Sequence, residues 1–442
     1  MSKKLFPLIS VLLIAAFVLA ACSAPAATET QAPQPPASEA TQPPAAEATE
    51  PPAAGEETQP PAAEGETHIV LWHQWSGAYL EAIEEAFRKY EEEHPGVTID
   101  LTVPEDVSNA LNVAIPAGEG PDIIGWANDQ IGTQALQGNI VPLGELGIDA
   151  AFLESTYAPA AVEGVQWDGD IWALPETIEG IALVANTDVV SPDYYPADES
   201  DFAGLLDAAT RFQADTGKVL VCNQGFSSED AYHVAPVFFG HGVPSYVDED
   251  GNVYLNTPEA IEAAQWLKDI SAVSLAENSY DICNAQLAEG GVGMWWTGPW
   301  AIAGLEETGV PYEIIPMGRP FVGIKTLMIT TNAVDRGNAE VALDIIKYFT
   351  SAEVQKELAL INKTIPAATA ALEDPEVAAL PAVSGFGNAI KNGVPMSPSP
   401  YSGAQWVPVG RAAVSIYNGS AEPQAAMDEA QAAVEQAVAD MQ

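Results

Sequence analysis

HIVLWHQWSGAYLEAIEEAFRKYEEEHPGVTIDLTV (residues 68–103), followed by GEGPDIIGW (residues 118–126), decides the fold of this chain. His68-Ile69-Val70-Leu71-Trp72 is a short apolar, β-prone run that reads as a buried strand. Ser76 is placed to cap a helix behind it. Leu80, Ile83, Phe87 and Tyr90 then recur at helical spacing, while Glu81, Glu84, Arg88 and Glu91 fill the other side, which predicts one amphipathic helix. His94-Pro95-Gly96 stops it. Residues 97–103 are β-branched and apolar enough for a second strand, 107–114 read as a second helix, and 122–126 as a third strand. Strand, helix, strand, helix, strand predicts a parallel sheet with covering helices.

Working outward, the same alternation continues. Strands are predicted at 181–185, at 291–296 leading into Gly298-Pro299-Trp300, and at 325–331. Helices are predicted at 257–270, at 339–349, at 352–361 behind a Ser351 cap, and at 422–441. The fold class is α/β throughout, with loops at strand ends free to hold a ligand.

The amino-terminal sixth is of another kind. Lys3 and Lys4 precede an apolar run over residues 11–21 that reads as a secretory signal peptide and is too short for a comfortable membrane span, which takes about 20 residues. The run ends in Leu19-Ala20-Ala21-Cys22, which resembles the bacterial lipobox; that resemblance implies cleavage before Cys22 and its acylation. Residues 23–66 are almost wholly Ala, Pro, Glu, Thr and Gln, with Pro-Pro-Ala-Ala recurring at Pro43, Pro51 and Pro60. Without Val, Ile, Leu or aromatic side chains this segment cannot offset chain entropy by burial. It reads as an extended tether reaching as much as ~100 Å. The folded part is thus expected outside the cell or in an equivalent exported compartment, anchored at the outer face of the membrane.

The remaining residues 67–442 suit two domains or lobes. The chain carries 62 acidic and 15 basic residues, a net charge of −47. That argues against nucleic acid as a partner, since phosphate contacts need clustered Lys and Arg. It disfavours an anionic ligand unless that ligand is locally paired. The composition leaves the reason for so negative a charge open. The five histidines are dispersed and no Asp-x-Asp-x-Asp-Gly loop occurs, so no metal and no cofactor are expected. Cys222 and Cys283 could pair as a disulfide, which an exported compartment permits, or stand as two separate buried thiols.

Five stretches, in order, carry a resemblance. Leu71-Trp72-His73-Gln74-Trp75-Ser76-Gly77 looks like an opening strand and ligand loop. Gly118-Glu119-Gly120-Pro121-Asp122-Ile123-Ile124-Gly125-Trp126-Ala127-Asn128-Asp129 is the most specific match. Trp172-Ala173-Leu174-Pro175 with Glu179, Thr297-Gly298-Pro299-Trp300, and Pro320-Phe321-Val322-Gly323 complete the series. Together they resemble the extracellular solute-binding proteins of the maltose-binding type, the substrate-binding lipoproteins of sugar ABC importers. The resemblance implies a periplasmic-binding-protein-like fold of two α/β lobes with the ligand cleft at the hinge. One lobe would hold 67–178 and 324–366, the other 180–322 and 368–442, with crossings near 177–182, 321–325 and 365–368. It also implies a monomer that hands its sugar to membrane permease subunits.

A sugar presents apolar ring faces, which pack on aromatic rings, and hydroxyls, which carboxylates accept strongly. Carried over residue by residue, the resemblance marks Trp126, Trp300, Tyr232 and Trp406 for stacking, Asp129 and Glu179 as hydroxyl-binding carboxylates, and Arg411 as a cleft-side cation. Gln74, Trp75 and Ser76 stand where maltose-binding relatives carry an Asp-Lys pair, and Gln130 where they carry Arg. Both departures remove a cation and weaken the case for maltodextrin itself, while Trp75 would add a stacking surface. Catalytic residues are not expected. The chain has no His-Glu-x-x-His, Gly-x-Ser-x-Gly or Gly-x-x-x-x-Gly-Lys-Ser/Thr motif. The competing readings are a receptor for a polyol or glycerol phosphate, and a glycosidase built on Asp129 and Glu179.

Overall fold

A computed structural model describes residues 66–442 except 105 and 106. The predicted signal peptide, Cys22 and the tether up to residue 65 lie outside the described residues. The opening units form in the predicted order: β1 (Thr67–His73), a helix Gly77–Glu93, β2 (Val97–Thr102), a helix Val107–Ala117 and β3 (Ile123–Ala127), although Ser76, at the helix N-terminus, makes no side-chain capping bond. Ile83, Phe87 and Tyr90 are buried against the sheet, so the helical stripe read from the sequence is the one that packs.

Ten further strands follow: β4 (Gln166–Trp167) and β5 (Asp170–Ile171), which form a small hairpin, β6 (Ala173–Glu179), β7 (Ala182–Asn186), β8 (Val219–Cys222), β9 (Val292–Thr297), β10 (Tyr312–Ile315), β11 (Phe321–Ile329), β12 (Ile365–Pro366) and β13 (Val394–Pro395). They build two main sheets. The larger runs β12-β6-β11-β3-β1-β2, with β13 added alongside β11. The smaller runs β10-β7-β9-β8.

The expectation of a parallel sheet holds only for its first part. β1 pairs parallel with β2 and with β3, but β11 lies antiparallel to both β3 and β6. β11 is entered from the smaller sheet rather than through a covering helix, so it runs the opposite way. It also begins at Phe321, four residues before the predicted start. The chain passes from the larger sheet to the smaller between Glu179 and Ala182, and back between Ile315 and Phe321.

The Gly-Pro-Asp motif proves structural. Asp122 is buried, accepts a hydrogen bond from Val70 N (2.9 Å) and pairs with Arg336 (3.2 Å), fixing the turn before β3. Gly120 admits no side chain, because a Cβ there would sit 2.5 Å from Ile115 and 2.8 Å from Asn332 Oδ1.

On β9 the side chains alternate. Trp295 enters a core shared with Cys222 and Ile302, and Trp296 enters one shared with Phe212 and Phe239. Both tryptophans are fully buried, as expected of sheet residues. The helices Trp406–Tyr417 and Pro423–Met441 close that second core.

Cys222 and Cys283 are joined by a disulfide across a sequence separation of 61. A loop of this length is worth about 4 kcal/mol in the chain-entropy account. A Cys222→Ser, Cys283→Ser protein is therefore expected to melt roughly 5–10 °C lower by circular dichroism. An unchanged melting curve would show that the bond constrains nothing in the unfolded chain.

Candidate functional site

A cavity of about 540 Å³ opens where the two sheets meet, within the ~300–1,000 Å³ range usual for small-molecule sites. The segments after β1 and β3 supply Gln74, Ser76, Asp129 and Gln130, the end of β3 supplies Trp126, and β6 and β11 supply Glu179 and Lys325. From the other side come Asp230 and Tyr232 at the start of helix Ala231–Gly240, Trp300 after β9, and Trp406 at the head of its helix. These are mostly the carboxyl ends of strands and the first turns of helices, where α/β folds gather ligand groups.

The aromatic side chains are linked ring to ring, Tyr232 and Trp406 through the buried Phe321 behind them. Trp300 lies 6.2 Å from Tyr232 and 5.8 Å from His233, Tyr232 stacks on Phe321 at 5.9 Å, and Phe321 meets the edge of Trp406 at 5.6 Å. Gly298 makes this possible, since a Cβ there would come within 2.2 Å of the folded-back Trp300 ring.

The carboxylates differ in their surroundings. Asp129 is 6% exposed and accepts from the indole N–H of Trp406 (2.9 Å) and from Gln130 (3.0 Å) on the same oxygen. Burial pushes its pKa up to about 6 against those two hydrogen bonds. Glu179, also buried, is raised by burial and pulled back by Lys325, whose Nζ lies 3.6 Å away. Asp230 is likewise opposed by burial, yet His233 at 2.8 Å and Gln224 at 3.0 Å hold it well below the usual carboxylate range.

The structure brings Gln74, Ser76, Trp126, Asp129, Glu179, Tyr232, Trp300 and Trp406 to one cavity. Trp75 is there too, but not as a stacking surface. It is 2% exposed, sits beneath the loop against His73 and Phe349, and donates its indole N–H to Glu176 (3.2 Å). Gly125 lies under its ring, where a Cβ would sit only 3.1 Å from Trp75.

Arg411 does not reach the cavity. It lies exposed on helix Trp406–Tyr417, paired with Glu229 at 3.2 Å. Five residues after Trp406 is about 140° around the helix, so the two side chains cannot face the same way.

Sequence reading missed Tyr79, Glu176, Asp230, His233 and Lys325. Lys325 restores a cation to a site whose sequence had lost two. The signal for it was available: a single lysine inside the apolar run Phe321–Ile329. His73 is buried and held neutral, its pKa lowered to about 4 by desolvation.

The comparisons with known proteins bear on this architecture. The model of the family described as bacterial extracellular solute-binding protein matches residues 85–385. The chain belongs to that family. As one of the extracellular solute-binding proteins it is a binding protein and not an enzyme. It is 28% identical over 355 residues to a maltotriose-binding protein of Pyrococcus abyssi, covering 77% of this chain and 76% of that one. It is 22% identical over 390 residues to a galactooligosaccharide-binding protein of Bacillus subtilis, covering 82% and 88%. Among solved structures, the maltose/maltodextrin-binding domain from Bdellovibrio bacteriovorus bound to maltotriose superposes with a TM-score of 0.73 at 22% identity, over 85% of this chain and 100% of that one. A Thermus thermophilus maltotriose-binding protein gives 0.72, also at 22% identity, over 84% and 100%. Those likenesses establish the two-lobed fold.

Proposed function

We propose that this solute-binding protein captures a neutral oligosaccharide of the maltodextrin type between its lobes and delivers it to the permease of an ABC importer. Cys22 would carry the lipid that anchors it outside the membrane, with residues 23–66 as tether. The observation that carries the reading is the cavity itself: the aromatic side chains of Trp300, Tyr232 and Trp406 line it together with the buried carboxylates of Asp129 and Glu179. That pairs ring-stacking surfaces with strong hydroxyl acceptors. The relatives of known specificity, which bind maltotriose and galactooligosaccharides, point the same way. Closure would turn on the crossings near 177–182, 321–325 and 365–368, with lobes of 67–178 plus 324–366 and 180–322 plus 368–442.

The test is calorimetric titration with maltotriose, a galactooligosaccharide, trehalose, glycerol and glycerol phosphate. Saturable one-to-one binding of a neutral saccharide is expected. Heat from glycerol phosphate alone would overturn the sugar reading.

The cavity also sets a pH dependence. Asp129 accepts a hydroxyl best as a carboxylate, and burial raises its pKa to about 6. Affinity should hold from pH 8 to 7 and fall about tenfold as pH drops through 6, because protonation replaces a charge-assisted bond by a neutral one. Titrations at pH 5 and pH 8 check this, and equal affinities at the two would exclude Asp129 as an acceptor.

A further inference from the structure

Glu179 and the Lys325 ammonium line the cavity, and a second carboxylate, Glu176, lies buried beside them. Glu176 and Glu179 lie three residues apart on β6, and Lys325 projects from the adjacent β11, where its backbone faces Thr177. The pairing register slips between Lys325 and Thr326, an irregularity of the kind that re-aims a side chain.

Glu176 is satisfied by neutral donors, the Tyr79 hydroxyl (2.8 Å) and the Trp75 indole N–H (3.2 Å). Glu179 has only the Thr177 hydroxyl at 3.4 Å and the Lys325 ammonium at 3.6 Å. The lysine stem is held in place, with Nζ 4.7 Å from the centre of the Tyr79 ring and the side chain 12% exposed. Lys325 is the one lysine or arginine among the described residues that line the cavity.

A single ammonium cannot neutralise two buried carboxylates, and an unpaired buried charge is costly. The division of labour follows from the contacts. Glu176 is served by hydrogen bonds from below, and the lysine is left to serve Glu179, whose carboxylate borders the cavity.

We propose that Lys325 serves ligand capture in two ways: it holds Glu179 as a carboxylate, and with it presents a donor beside an acceptor to adjacent hydroxyls of the bound sugar. The inference rests on the sugar reading above and deepens it. A vicinal diol, one hydroxyl donating to Glu179 and its neighbour accepting from Lys325, is the ligand element that fits a donor and acceptor 3.6 Å apart.

The groups that face Glu179 bear on its ionisation. They are Lys325 from β11, Glu176 and Thr177 from its own strand, Tyr79 from helix Gly77–Glu93, and Tyr232 with Asp230 behind it from the start of helix Ala231–Gly240. Burial pushes Glu176 up to about 7, and Lys325 opposes the rise in both glutamates. A carboxyl whose folded pKa is raised takes up protons on folding, so it favours the folded state at low pH and disfavours it as pH rises through the folded pKa. Removing Lys325 moves both folded values further up, so the defect must widen with pH.

The experiment compares the unliganded wild-type, Lys325→Met, Lys325→Arg and Lys325→Met/Glu179→Gln proteins by thermal unfolding from pH 5 to pH 8. Maltotriose titration at pH 8 follows. The melting-temperature deficit of Lys325→Met should be small at pH 5 and grow by about 5 °C or more at pH 8. The arginine variant and the double variant should lose most of that growth. Maltotriose affinity should fall about 10- to 100-fold in Lys325→Met and stay low in the double variant, since neither restores the charged pair. A deficit equal at every pH would reduce Lys325 to packing and overturn the proposal, as would wild-type affinity in Lys325→Met. Failure of the wild-type protein to bind maltotriose would sink the maltodextrin reading instead, while the unfolding series still decides whether Lys325 keeps Glu179 charged.

Discussion

Trp300→Ala should lower the affinity for the captured sugar by roughly 30- to 1,000-fold, the range for truncating a buried aromatic anchor worth about 2–4 kcal/mol. Trp300 is partly buried, braced by His233 at 5.8 Å and Tyr232 at 6.2 Å. Its ring folds back over Gly298, so the platform is ordered before any ligand arrives. Preorganisation matters because an aromatic surface already fixed costs no further side-chain entropy on binding. Trp300→Phe should retain part of the affinity, because a smaller ring still offers an apolar face. The measurement is calorimetry on both variants beside circular dichroism. Trp300 touches both cores, so a modest drop in melting temperature is expected along with the loss of binding. A well-folded Trp300→Ala protein with unchanged affinity would show that the sugar lies elsewhere.

What could be read from the sequence follows from how local its cause is. The first β-α-β-α-β run was legible because periodicity, a stop at His94-Pro95-Gly96 and an apolar third strand all act within a few residues. The reversal of direction at β11 was not, because strand direction depends on which sheet the chain has just left. β6 hid for another reason. All seven of its residues are buried, including Glu176, Thr177 and Glu179, and polar side chains that find partners only in the tertiary structure erase the apolar pattern of a strand. Tyr232 was found as a site residue although its helix was not, since Pro236 lies inside Ala231–Gly240 and argues locally against a helix. Trp75 and Arg411 fail in opposite ways. A loop tryptophan and a helix arginine were placed by alignment alone, and depth in one case and helical phase in the other decide what they touch.

Asp129→Asn should make the unliganded protein more stable at neutral pH while weakening sugar capture, and the opposition of the two effects is the informative result. A carboxyl with an ordinary pKa near 3.8 when exposed and about 6 in the folded protein favours the folded state below the lower value. That contribution is lost as pH rises through 6. The difference amounts to about 3 kcal/mol disfavouring the folded protein at pH 7, taking ~1.4 kcal/mol per unit. Asparagine removes the buried charge and keeps an oxygen to accept from Trp406, so the variant should melt several degrees higher at pH 7 and nearly the same as wild type at pH 4. Its sugar affinity should fall about tenfold or more at pH 7, since a charged acceptor in the cavity becomes a neutral amide. Melting curves at pH 4 and pH 7 with one titration at pH 7 decide the matter. If the variant were less stable at pH 7, the carboxylate would be structural, its hydrogen bonds from Trp406 and Gln130 outweighing its burial. If it were more stable and bound sugar equally well, the charge would serve neither purpose. Gain of stability with loss of binding is the pattern of a group kept at a cost to the fold because the ligand needs it.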